Sequence, residues 1–218
     1  MIPKILGLCG LLLFAGINHA AEQRRYTILV DNGVKAGEQV VEIDEQGNTK
    51  VRFIFKDNGR GPELNETISL NEDGTLASYS AKGNSTFGSV INEGFTQQGD
   101  AASWYAGEKT GSTKVEGSAL YMPIEGSAEV MSIAINAMAK SGKNSIALLP
   151  SGTLTQQVVS DLIVEKDGEK QKVQLLVQTG MGLEPNFVWS TGGDDPRLFA
   201  LLIPGYLTLI DEGWQANA

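Results

Sequence analysis

Histidine and cysteine are almost absent from this chain. Its only cysteine, Cys9, and its only histidine, His19, both lie within the first 21 residues. Histidine is the commonest general base and nitrogen metal ligand in proteins, and cysteine is a strong nucleophile, so the rest of the chain lacks both chemistries. We therefore expect residues 22–218 to contain no catalytic residue, no metal ligand and no cofactor site, and not to be an enzyme alone.

Basic residues are also few. The chain has 17 lysines and arginines against 26 acidic residues, with a formal net charge of −9. The basic residues are scattered along the sequence, and no basic stripe is visible. An acidic surface repels phosphate backbones, so we expect no nucleic-acid partner.

No apolar run is long enough to cross a membrane, which takes about 20 residues. The apolar run of residues 5–17 follows Lys4 and precedes Ala20 and Ala21, which is typical of a cleaved secretory signal peptide. The longest later apolar stretch, residues 198–204, is the size of a strand. The sequence therefore predicts a signal peptide over residues 1–21, an exported protein in the periplasm or outside the cell, and no membrane span.

Short alternating segments separated by glycine-containing turns dominate what remains. Val51, Phe53 and Phe55 share one face of a predicted strand, and Arg52 lies on the other. The Asp73-Gly74 dipeptide is typical of a hairpin turn. These patterns predict antiparallel strands through most of residues 22–218.

One segment has a helical period instead. Ser127 can cap a helix of about residues 127–141, which is apolar on nearly all sides and ends before Gly142. We therefore predict a mainly β (α+β) fold. In it, a strongly curved antiparallel sheet of about ten or more strands holds one buried helix on its concave face.

Adjacent carboxylates are candidates for a hydrolytic pair, since two acids with separated pKa values can cleave glycosides. The four pairs in the chain have mostly turn-like surroundings, so we interpret them as solvated turn residues. They are Asp44-Glu45, Glu72-Asp73, Asp194-Asp195 and Asp211-Glu212.

Five short elements, in this order and spacing, resemble the N-terminal region of large exported bacterial amidohydrolase-family proteins. They are residues 26–30, 58–62, 121–124, 148–152 and 206–214. In that family, this region precedes a metal-dependent catalytic barrel. The barrel's ligands have no counterpart here, so no catalytic or metal-binding residue is transferred.

The resemblance implies an accessory, structural domain of an amidohydrolase-like hydrolase, with the catalytic barrel of the same longer protein as its partner. Residues 22–218 would then be a single β-rich domain, and residues 206–218 would begin a connector. Tyr206, Leu209, Ile210 and Trp214 would dock against the barrel beside an exposed apolar patch. The chain is then either a fragment or a stand-alone relative without the barrel.

A second function is a stand-alone periplasmic carrier of a lipid or other apolar small molecule. The ligand would lie between the sheet and the helix, in a cavity of about 300 Å³ or more. Its predicted lining residues are Val130, Met131, Ile135 and Met138.

Overall fold

A computed structural model describes residues 21–30 and 33–217. The predicted signal peptide lies outside these residues, apart from Ala21. Within the described residues, no helix has the length and apolar character needed to cross a membrane.

The described residues form fifteen strands, one α-helix and a short 3-10 turn at Gln215–Asn217. The helix, α1, spans Glu129–Ser141. The strands are β1 (Glu22–Val30), β2 (Val34–Ile43), β3 (Thr49–Phe55), β4 (Glu63–Leu70), β5 (Leu76–Asn84), β6 (Val90–Gln98), β7 (Ala101–Ala106), β8 (Lys109–Lys114), β9 (Ala119–Tyr121), β10 (Ser145–Leu149), β11 (Thr153–Lys166), β12 (Glu169–Thr179), β13 (Asn186–Ser190), β14 (Leu198–Ile203) and β15 (Leu207–Asp211).

All fifteen strands belong to one sheet, in the order β8-β7-β6-β5-β4-β3-β2-β1-β15-β14-β13-β12-β11-β10-β9. Neighbours are antiparallel except β9 and β10, which are parallel. The sheet is not closed, although β8 and β9 at its two ends are joined by only residues 115–118. The predicted β-rich fold with one helix inside a curved antiparallel sheet is confirmed.

Alternation of apolar and polar residues places the core on the concave face. On β3, Val51, Phe53 and Phe55 are buried, whereas Arg52 is exposed, as predicted. This core contains residues from both halves of the sheet and from α1. The sheet also overlaps itself, because Tyr121 of β9 stacks on Phe95 of β6 with ring centroids 4.7 Å apart.

The helix begins two residues later than predicted. The N-cap is Ala128 rather than the predicted Ser127, although the Ser127 hydroxyl accepts a hydrogen bond from the Glu129 N–H at 3.3 Å. Gly142 ends the helix in the left-handed conformation, with φ of 63°, and its N–H donates to the Ala139 carbonyl. The predicted burial of the helix is confirmed.

A smaller apolar cluster lies on the convex face, against β13 to β15. Trp214 covers it from the C-terminal segment and meets Phe199 edge-on at 5.7 Å. Lys166, near the tip of the β11–β12 hairpin, lies 5.4 Å from the centroid of the Trp214 ring. The segment predicted to begin a connector thus contributes β15, which lies between β1 and β14 in the sheet.

Strand β11 is paired on both sides over only part of its length. It pairs with β12 up to Lys166, but its ladder with β10 covers only residues 153–155, and one further bond joins the Gln156 N–H to the Asn144 carbonyl. Beyond Gln156, this edge has no strand partner among the described residues. A bulge interrupts the ladder between Val158 and Ser160.

Replacing Trp214 should show whether the convex cluster stabilises the fold. Because Trp214 is 7% exposed, we expect Trp214→Ala to lower the free energy of unfolding by about 3 kcal/mol, as is usual for removing a buried aromatic side chain. Urea denaturation followed by circular dichroism measures this change. Tyr206→Ala, at a half-exposed position, is the control and should cost under about 1 kcal/mol. Equal losses would contradict the assigned packing.

Candidate functional site

Two buried glutamates hold the segment that enters α1. Glu66 on β4 accepts hydrogen bonds from the Ser127 N–H at 2.7 Å, the Ser127 hydroxyl at 2.5 Å and the Tyr79 hydroxyl at 2.9 Å. The Gln39 side chain accepts a further bond from the Ala128 N–H at 3.1 Å. Strands β2 and β4 therefore anchor the start of the helix to the sheet.

Glu93 on β6 holds the preceding part of the same segment. It accepts hydrogen bonds from the Tyr121 hydroxyl at 2.7 Å and from the N–H groups of Ile124 and Glu125 at 2.9 and 3.3 Å. Each of these two buried carboxylates is thus satisfied by three donors rather than by a cation. The nearby helix N-terminus adds a favourable field for negative charge.

These carboxylates are arranged for anchoring. Glu66 and Glu93 are only 3% and 2% exposed, and protein donors occupy the oxygens that would face a substrate. Burial raises the pKa of Glu66, while its bonds from Ser127 and Tyr79 oppose the rise. A glycosidase pair needs a cleft that is open to substrate between the two acids. We assign both glutamates to holding the segment before α1.

A third buried acid lies in the first turn of α1. Glu129 accepts a hydrogen bond from the Arg24 guanidinium at 3.2 Å, and its second oxygen has no hydrogen-bond partner among the described residues. Burial raises the pKa of Glu129 to about 7, although the Arg24 charge opposes this and Glu66 adds to it. The Arg24 Nε atom also lies 3.4 Å from the Glu22 Oε1 atom.

Sequence reasoning missed these three buried acids. The sequence pattern does indicate two of them. Glu66 lies on the same face of β4 as Leu64 and Ile68, and Glu93 lies on the same face of β6 as Ile91 and Phe95. An acid in the apolar phase of a strand indicates burial with hydrogen-bond partners. All of the partners except Tyr79 are 28 to 61 residues away, and no local pattern indicates them.

The four residues predicted for docking are not grouped in one exposed surface. Leu209 faces the main core and is 1% exposed, and Ile210 and Trp214 belong to the convex cluster at 2% and 7%. Tyr206 is half-exposed and makes an edge-on contact with Phe55 at 5.4 Å. The structure therefore brings only Ile210 and Trp214 together.

The residues predicted to line an apolar cavity beside the helix are packed into the core. Val130, Ile135 and Met138 are at most 3% exposed, and Met131 is half-buried. The cavities described below are lined by other residues.

Apolar side chains are concentrated at one end of the sheet. Alternate turns of an antiparallel sheet lie at the same end, so the connections after β1, β3, β5, β7, β10, β12 and β14 form one rim, which the connection after β9 joins because β9 is parallel to β10. Contacts between neighbouring loops support this, since Phe55 at the end of β3 touches Tyr206 after β14. We call the exposed apolar side chains here the apolar rim: Val34, Phe87, Val90, Ile124, Leu183, Phe187, Leu202, Ile203 and Tyr206.

A surface cavity of about 600 Å³ opens beside the apolar rim, on the convex side of β1, β15 and β14. Its lining is about half polar and half apolar and includes Leu29, Leu202, Pro204 and Tyr206, with Gln215 at its border. This volume falls within the range of small-molecule sites.

The two ends of the sheet differ in charge. The described rim connections contain four acids, Asp57, Glu108, Glu125 and Glu184, together with the basic residues Lys56 and Arg60. The connections at the opposite end contain ten acids and two bases, Lys143 and Arg197; the acids are Asp44, Glu45, Glu72, Asp73, Asp100, Glu116, Asp167, Asp194, Asp195 and Glu212. One end is therefore apolar and nearly neutral, and the other is strongly acidic.

These features define a mainly β protein with an open sheet curled around a helix. The fold is similar to the crystal structure of a beta-barrel-like protein of the domain of unknown function DUF1849 from Brucella abortus. The two share 12% sequence identity at a TM-score of 0.56, over 88% of this chain and 95% of that one. No protein-family model matches the chain, and no curated protein matches it either.

The comparison overturns the resemblance to amidohydrolase-family proteins. The similar fold covers nearly all of a beta-barrel-like protein, and nothing found connects this chain with an amidohydrolase. The five elements behind the resemblance are short and rich in glycine and proline, and such turns recur in unrelated β proteins.

The stability of the chain should depend on the protonation of Glu129. An unfolded glutamate titrates near its ordinary pKa of 4.5, below the folded value of about 7. Between these pH values the folded state binds more protons, so this contribution to stability falls as pH rises, by on the order of 3 kcal/mol. Thermal unfolding of the wild type and Glu129→Gln across this range should show a steeper decline for the wild type.

Glu125→Gln is the matched control, because Glu125 is exposed in the same segment. Its stability should follow the wild-type dependence on pH. If the stability of Glu129→Gln also changes with pH as steeply as that of the wild type, Glu129 does not titrate with a raised pKa.

Proposed function

We propose that this chain is a non-catalytic binding protein that contacts a lipid surface through its apolar rim. The observation that carries the proposal is that large apolar side chains project from separate loops and strand ends at one end of the sheet. Phe87 and Leu183 at loop tips are 86% and 106% exposed. Exposed apolar groups collected in one region are typical of protein or membrane contact sites.

The difference in charge between the two ends suits a membrane contact. Lys35, Lys56 and Arg60 lie at the rim, and each cation close to an anionic bilayer contributes about 1 kcal/mol, but the acids of the rim connections offset most of this attraction. The ten acids at the opposite end would be repelled by the same surface. This asymmetry favours an orientation in which the rim faces the lipid and the acidic end points away.

The positions of the rim side chains suit contact with a lipid bilayer. These apolar side chains come from separate loops and strand ends around an open sheet, and the acyl chains of a bilayer can adapt to such a distribution without a complementary shape. Phe87, Phe187 and Tyr206 are aromatic, and tyrosine in particular is enriched at membrane interfaces. The cavity beside Tyr206 has room for part of an acyl chain.

The predicted carrier role between the sheet and the helix stays a hypothesis. The cavity beside Leu202 and Tyr206 is the better-supported place for an apolar ligand, because it is open. Export to the periplasm or beyond also stays a prediction.

Flotation with lipid vesicles tests the proposal. The wild-type chain should float with vesicles of phosphatidylglycerol mixed with phosphatidylethanolamine. Phe87→Ser combined with Leu183→Ser should weaken the partitioning roughly tenfold or more, because two large apolar groups no longer leave water. The matched control is Leu162→Ser combined with Ile163→Ser, which removes exposed apolar side chains of β11 away from the rim.

The proposal would be contradicted if the rim and β11 variants lost vesicle binding to the same extent. It would also be contradicted if the wild-type chain did not float. Sedimentation velocity without lipid adds a further criterion. Self-association that is lost only in the rim variant would make the rim an interface between copies of the chain.

A further inference from the structure

A row of cations crosses the convex face of the first five strands. In the strand registers, Arg25 lies opposite Val40, Val40 opposite Arg52, Arg52 opposite Asn65, and Asn65 opposite Lys82. Residues that are opposite each other in an antiparallel ladder share a face. These five residues therefore form one line across the strands, which we call the basic row.

The cations of the basic row are evenly spaced. Arg25, Arg52 and Lys82 come from β1, β3 and β5, so one strand separates each from the next. Strands in a sheet are about 4.8 Å apart, which places neighbouring cations about 10 Å apart along the row. All three side chains are exposed.

The basic row lies in a groove of about 580 Å³ on the convex face. Lys50, Thr67 and Ser80 line the groove from the adjacent row of the sheet, where the Thr67 and Ser80 hydroxyls are 3.0 Å apart. The groove thus combines spaced cations with uncharged hydrogen-bonding groups.

The groove carries a net positive charge, because four cations line it against the two acids of the convex face, Glu38 and Glu42. Glu38 lies 3.7 Å from Arg52 and also contacts Lys35 outside the groove, and both Arg52 and Lys35 are more than half exposed. Within the part of the chain that the structure describes, Lys50 and Lys82 form no ion pair. The groove is a basic site on an otherwise acidic protein.

We infer that this groove binds an acidic polysaccharide that carries one carboxylate per disaccharide. A disaccharide repeat is comparable in length to the spacing between the cations. The amide of Asn65 and the hydroxyls of Thr67 and Ser80 provide donors and acceptors for the sugar hydroxyls between the charges.

The sparse spacing also separates this ligand from nucleic acid. A nucleic-acid strand carries one phosphate about every 3.4 Å, three times the density of cations in the row. Glu38 and Glu42 border the groove and repel such a dense anion.

The groove is distinct from the surface proposed to meet lipid. The basic row lies on the side of the sheet, whereas the apolar rim is made of loops at one end. The two sites share no residue, so a failed lipid experiment leaves this inference untouched, and the reverse also holds.

Binding of defined oligosaccharides tests the inference by isothermal titration calorimetry. An oligosaccharide of alternating glucuronate and N-acetylglucosamine should bind, and its affinity should fall as salt is raised. Arg52→Gln combined with Lys82→Gln should weaken binding roughly tenfold through loss of two charge-assisted contacts. Lys143→Gln combined with Lys170→Gln removes the same charge elsewhere and should leave the affinity unchanged.

Four results would overturn the inference. An oligomer of N-acetylglucosamine alone that binds equally well would show that the cations are not used. Tighter binding of single-stranded DNA would assign the groove to a dense polyanion. Equal weakening in both double variants, or no binding by the wild type, would remove the basic row as a site.

Discussion

The fold depends on how the sheet holds the first turn of the helix. Glu66 and Glu93 reach inward from β4 and β6, and each accepts three hydrogen bonds from the segment before α1 or from tyrosines beside it. A buried carboxylate without a cation is tolerated only when donors satisfy it. The two acids therefore tie α1 to one half of the sheet, and the other half curls over the opposite side of the helix, where Ser132 accepts a bond from the Leu198 N–H at 3.2 Å.

The periodicity of apolar residues was sufficient to predict the strands and the helix, because it follows which face of each element is buried. The bounds of β10 and β14 agree with the apolar segments in the sequence, and α1 is found where the period changes. The position of β15 beside β1 was not predictable, because its strand neighbours are set by how the sheet curls. The apolar rim and the basic row were missed for the same reason. Arg25, Arg52 and Lys82 are about thirty residues apart in sequence and become neighbours only through strand register.

The antiparallel order of the strands also explains why the chain has two unlike ends. Every second connection emerges on the same side, so acids in alternate turns accumulate at one end and apolar residues at the other. A surface that looks uniformly acidic in composition is therefore divided into an acidic end, a nearly neutral apolar end and a basic groove on the side. Each region suits a different contact, and none requires a histidine or a cysteine.

The unpaired stretch of β11 past Gln156 has a consequence for how copies of the protein behave in concentrated solution. Its open backbone groups and the exposed Val158, Val159 and Ile163 form a template on which a strand of another molecule can grow. The bulge at Val159 breaks the regular ladder, and Asp161, held by Lys172 at 3.0 Å, puts a charge in the middle of the stretch. Both features disfavour edge-to-edge pairing with a strand of another molecule.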